Sequence, residues 1–144
     1  MIKKLATVVL IFLFLFSNTL DLNAREVRYI EIFDPTQNKV VKVVEPTAEI
    51  QNIITGWITH IQGIYGKNDP VTDDGYALRV PLNPSVSVHN KWVNAIINEI
   101  YIIIPETEPP FFIIFEAENK LCCYPFNGDI DQLSSMLNFK LYKK

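Results

Sequence analysis

Between residues 50 and 65 the apolar side chains fall at helical spacing, and nothing between Glu49 and Lys67 carries a formal charge. Ile50, Ile53, Ile54, Trp57, Ile58, Ile61, Ile64 and Tyr65 recur at i, i+3, i+4, i+7, i+8, i+11, i+14 and i+15, the 3.6-residue period of an amphipathic helix. Isoleucine by itself favours strands, but a period sustained over about four turns overrides that preference. Thr47 is placed as N-cap, Glu49 lies in the first turn, and Gly66 closes the run. The sequence thus predicts one long helix over 48–65. A helix with so broad an apolar face needs a second layer to bury it.

Strand patterns elsewhere supply that layer. Residues 27–33 and 40–44 flank the turn chemistry of Asp34, Pro35, Thr36, Gln37 and Asn38, which reads as a hairpin. After the helix come 76–82, interrupted at Pro81, then a short strand at Val86 and Val88, and a turn at His89, Asn90 and Lys91. Residues 92–98 fit either a helical turn or an extended stretch, and 99–104 reads as strand. A further hairpin spans 111–115 and 120–126. The runs 101–104 and 111–115 lack polar alternation, as strands do when both faces are covered. Asp129 with Gln132 three residues on starts a short helix carrying Leu133, Met136 and Leu137. The expected class is α+β: about six antiparallel strands in the order ββαβββββα, with the long helix across one face and a short C-terminal helix.

The N-terminus has a different character. Lys3 and Lys4 precede an apolar run over 5–16, and a polar stretch ends in Leu22, Asn23 and Ala24. This is the anatomy of a signal peptide cleaved after Ala24, with an uncleaved anchor as the alternative. Residues 1–24 are therefore set apart from a single exported domain over 25–144, secreted or held in the cell envelope. Of 13 basic and 16 acidic residues, the leader holds Lys3, Lys4 and Asp21, leaving 11 and 15 and a net charge of −4. That balance argues against a nucleic-acid partner, which requires clustered Lys and Arg. Cys122 and Cys123 are adjacent; strand neighbours point to opposite faces and cannot bridge each other without distortion.

A search for chemistry finds little that converges. His60 lies at the edge of the apolar stripe and His89 in a turn, and neither shows metal-ligand spacing. Ser85, Ser87, Ser134 and Ser135 lack the Gly-x-Ser-x-Gly elbow. No cofactor is implied. Asn68, Asp69, Asp73 and Asp74 concentrate oxygen ligands in the 68–75 loop, a candidate calcium site without the EF-hand spacing. The outer face of the helix carries Asn52, Gly56, Thr59 and Gly63 at i, i+4, i+7 and i+11, a flat uncharged stripe that is either packed internally or offered to a partner. The reading is an exported non-catalytic domain that binds a protein or envelope component through that stripe. The alternatives are a small extracytoplasmic enzyme and a calcium-dependent module.

Gly75 and Tyr76 through Pro81, then Trp92 and Asn94, Glu99, Pro105 and Glu106, Pro109 and Pro110, and Phe115 and Glu116 form a scattered pattern. It resembles small uncharacterised exported proteins of Bacillus-type Gram-positive bacteria. The resemblance implies export from a Gram-positive cell and a single domain, and attaches no activity.

Overall fold

A computed structural model describes residues 28–66 and 72–142. The signal peptide expected at 1–24, and Asn68 and Asp69 of the candidate cation loop, lie outside the described residues. The elements are β1 (Ile30–Asp34), β2 (Lys39–Val44), α1 (Ala48–Thr59), β3 (Tyr76–His89), β4 (Asn94–Ile104), β5 (Phe111–Glu116), β6 (Lys120–Pro125) and α2 (Ile130–Leu137). The strands form one antiparallel sheet in the order β2-β1-β3-β4-β5-β6. The α+β class and an antiparallel sheet of about six strands are as expected. Among the described residues, no helix is long and apolar enough to cross a membrane.

The first hairpin turns where its side chains can bond the backbone. The Asp34 carboxylate accepts from the Thr36 amide at 2.9 Å, the Thr36 hydroxyl at 2.7 Å and the Gln37 amide group at 2.9 Å. Asn38 then takes the left-handed conformation, φ 54°, that asparagine tolerates best after glycine.

One sequence expectation fails at β3, and a stretch the sequence left open is decided at β4. Pro81 does not divide the strand: Tyr76–His89 is one element of 14 residues, so the order is ββαββββα. Proline lacks the N–H that a ladder needs, and it is accommodated here by a bulge. The register steps from Pro81 opposite Glu99 to Val86 opposite Ile97, which leaves 82–85 facing Asn98, with a cis bond between Asn83 and Pro84. The ambiguous stretch 92–98 resolves into a turn and the start of β4. Asn90 Oδ1 accepts from the amides of Trp92 and Val93 at 2.7 and 2.8 Å, and the strand runs from Asn94.

The long helix is also corrected. Thr47 caps it as expected, Oγ1 accepting from the Ile50 amide at 3.3 Å, but the helix ends at Thr59 after 12 residues. There the Gly56 carbonyl accepts from the Thr59 hydroxyl at 3.0 Å and lies 2.8 Å from His60 Nδ1, while the His60 amide turns back to the Ile58 carbonyl. The chain then leaves helical geometry and passes to the far side of the sheet. The Tyr65 amide donates to the Cys123 carbonyl at 2.8 Å, and its ring stacks on Phe111 at 5.3 Å. Ile61 is buried in this segment, whereas Ile64 is 61% exposed. Apolar residues placed by two different conformations thus mimic a single helical period.

The main core lies between one sheet face and the helices. Ile50, Ile54 and Ile58 of α1 and Ile130, Leu133 and Leu137 of α2 meet Ile32, Leu78, Ile102, Phe112 and Tyr124, which form one register row across five strands. Trp57 stacks on Phe126 at 5.3 Å, and Phe126 on Phe112 at 4.0 Å. The opposite face carries a second cluster of Phe33, Ala77, Tyr101, Ile103, Phe111, Ile113 and Cys123, with Tyr65 packed against it. Burial on both faces explains the unbroken apolar runs in β4 and β5.

Candidate functional site

A half-open groove of about 860 Å³ lies among the described residues. Two segments distant in sequence build it. The N-cap and first two turns of α1 contribute Thr47, Gln51, Asn52 and Thr55, and the β3 bulge contributes Asn83, Pro84 and Ser85. Asn98 closes it from β4, and Arg28 stands at the rim. Gln51 fastens the two walls. Its Nε2 donates to the Pro81 carbonyl at 2.6 Å, and its Oε1 accepts from the Asn83 amide at 3.0 Å. The bulge that costs the ladder its pairing is therefore held by a helix side chain, and the groove is shaped before any ligand arrives.

Apart from Arg28, the lining side chains carry no charge. Carboxamides and hydroxyls supply paired donor and acceptor capacity, and the rings of Pro46, Pro81 and Pro84 give flat apolar surface. Such a lining suits a neutral ligand that offers both hydrogen-bond donors and acceptors.

Of the uncharged stripe, Asn52 faces this groove, but its partners do not share the site. Gly56 is half-buried with no heavy atom within 4 Å of a Cβ built on it. Thr59 is exposed and bonded to its own helix, and Gly63 lies beyond the helix end, 3.8 Å from Pro125 Cγ. Because α1 stops at Thr59, the four residues form no continuous helical face. In the candidate cation loop, Asp73 is exposed. Asp74 Oδ1 accepts from the Thr72 hydroxyl at 3.0 Å and the Glu106 amide at 2.9 Å, tying the start of β3 to the β4–β5 loop. Among the described residues, no group of three or more His, Cys, Asp or Glu is placed to hold a metal ion.

A polar network lies within the second sheet face. Glu31, Arg79 and Tyr101 sit in one register row. Arg79 ion-pairs with Glu99 and, at 3.8 Å, with Glu31, and the Tyr101 hydroxyl donates to Glu99 Oε2 at 2.9 Å. Burial opposes the charge of Arg79, but the hydrogen bond and attraction of Glu99 more than offset it, holding the guanidinium pKa above its usual value. Burial, and then the charge of Glu99, push the Tyr101 phenol well above its ordinary range. The Tyr124 phenol, hydrogen-bonded to Glu116 beneath the helices, is raised in the same way, by burial first.

Sequence reasoning missed the groove, whose walls are far apart in the chain, and it missed the partners of His89. Ser87 and Asn94 flank that imidazole on the arm formed by the ends of β3 and β4. His60, by contrast, is bound to its own helix end. Cys122 is half-buried against the main core and Cys123 is buried in the second cluster, on opposite faces as strand neighbours must be.

No family model, curated protein or solved structure matches this chain.

Proposed function

We propose that the chain is an exported domain that binds a protein or cell-envelope partner, with the groove between α1 and the β3 bulge as its binding surface. The signal-type leader supplies the export half of this reading. The observation that carries the binding half is the lining itself. Gln51, Asn52, Thr55, Asn83, Ser85 and Asn98 present amide and hydroxyl groups around one cavity, a set that recognises polar groups rather than one that moves protons. The acidic balance of the mature chain accords with a partner other than nucleic acid.

The test places a photo-activatable cross-linking residue at position 52, in the groove, and at Glu118, on the far hairpin, in the full chain expressed in its own cells. Adducts that form at 52, are absent at 118, and vanish with Ser85→Arg support the groove. Equal adducts at both positions, or none at 52, overturn it.

A further inference from the structure

Ser87, His89 and Asn94 stand together on the side of the β3–β4 arm that faces away from the main core. Ser87 and His89 are two apart on one strand and so share a face, and the register sets Asn94 opposite His89. The Ser87 hydroxyl lies 2.8 Å from His89 Nε2, and His89 Nδ1 bonds Asn94 Oδ1. A carboxamide oxygen only accepts, so Nδ1 carries the proton and donates it. Nε2 is then left with a lone pair, directed at the serine hydroxyl. This is the order of groups that activates a hydroxyl: nucleophile, base, and a third residue that fixes the base's tautomer.

A second feature bears on what would react. Ile96 lies directly opposite Ser87 in the register and is 73% exposed, the most open large apolar side chain among the described residues. Directly paired residues on one sheet face sit within side-chain contact of each other. An apolar acyl group bound to an electrophilic carbonyl therefore has a place to rest beside the hydroxyl.

We infer that Ser87 is a His89-activated nucleophile that accepts an acyl group from activated carboxylic esters. As Oγ bonds to the carbonyl carbon, its proton passes to His89 Nε2. The adduct collapses, and the carbon–oxygen bond to the leaving group breaks with its electron pair. The imidazolium then returns the proton to the departing oxygen. The product is an ester on Ser87. Asn94 is a positioning residue, acting through the imidazole. Among the described residues all three groups are exposed, so the expected outcome is stoichiometric modification of a binding domain.

The experiment uses p-nitrophenyl acetate on the folded mature chain, with tandem mass spectrometry to place the acetyl group and hydroxylamine to separate serine esters from lysine amides. Ser87 should be acetylated about tenfold or more faster than Ser85, two residues away and also exposed. His89→Gln and Asn94→Ala should each remove that advantage, and Asn94→Asp, which can still accept from Nδ1, should restore it. Circular dichroism and the thermal midpoint show that each variant is folded. Equal labelling of Ser87 and Ser85, or an advantage that survives His89→Gln, overturns the assignment.

Discussion

Gly128 lies against the indole of Trp57 so closely that a Cβ built on it would fall 2.4 Å from Cε2 and 2.6 Å from Cδ2. The link between β6 and α2 thus crosses the aromatic stack that joins α1 to the sheet through Phe126 and Phe112. Here the glycine is required by the space its neighbour fills, since its φ is unremarkable.

That contact predicts a coupled pair. Gly128→Ala should cost about 1–3 kcal/mol through overpacking. Trp57→Ala should cost about 3 kcal/mol, the lower end for a buried aromatic, because the indole is only half-buried. With Trp57 gone the methyl has room, so the double variant should be less destabilised than the two losses added together. Urea midpoints of the four proteins measure this; strict additivity would mean that the two residues do not press on each other.

What the sequence made legible follows physical range. Thr47 and Asp129 cap through groups three residues away, and both caps are where local chemistry put them. The run at 111–115 announced two covered faces, and Phe111 and Phe112 indeed lie in different clusters. Errors arose where residues distant in the chain decide. The end of α1 was hidden because Tyr65 packs, half-buried, against β5 and β6 rather than within its own helix. Pro81 looked like a strand end because its missing N–H is local, whereas the bulge that accommodates it is a property of the β3–β4 register. The same register brings Asn94 to His89, and the uncertainty over 92–98 concealed it.

Arg79 makes a separate prediction. Its side chain is almost fully buried, with Glu99 on one side and Glu31 on the other. Arg79→Ala leaves carboxylates without their cation and should cost toward the lower end of about 3–5 kcal/mol, since both glutamates keep some contact with water. Returning the cluster to its original net charge with Arg79→Ala and Glu99→Gln together should recover part of the loss. A double variant less stable than Arg79→Ala would contradict this account of the network.

The buried phenols of Tyr101 and Tyr124 give a pH dependence with a definite sign. Tyr101 and Tyr124 keep their protons in the fold at pH values where the unfolded chain releases them. Their contribution is complete below the unfolded value of about 10 and declines as pH rises beyond it. Stability should fall between about pH 9 and pH 11, and more steeply in the natural chain than in Tyr101→Phe with Tyr124→Phe. The slope is the informative quantity, because the double variant also loses hydrogen bonds to Glu99 and Glu116 at every pH. Parallel pH profiles for the two proteins would show that neither phenol is held neutral by the fold.

The glycines along and after α1 separate a surface that is merely open from one that is used. Gly56 sits within the helix with nothing near its missing Cβ, so Gly56→Ala should raise stability by about 0.4–1 kcal/mol by restricting the unfolded chain. Gly63→Ala brings a methyl only to ordinary contact with Pro125 and should change stability little. Gly75 is the opposite case: φ is +68°, and a Cβ would fall 1.9 Å from the Ile104 carbonyl oxygen, so Gly75→Ala should be severely destabilising. Thermal unfolding of the three variants orders them as 56 above natural, 63 near natural, and 75 far below. If Gly56→Ala is stabilised and cross-linking from position 52 is unchanged, partner binding is confined to the groove end of α1. If Gly56→Ala is stabilised but the cross-link is lost, the interface extends along the helix to that glycine. A destabilised Gly56→Ala would mean that the face is packed, contrary to the open space found there.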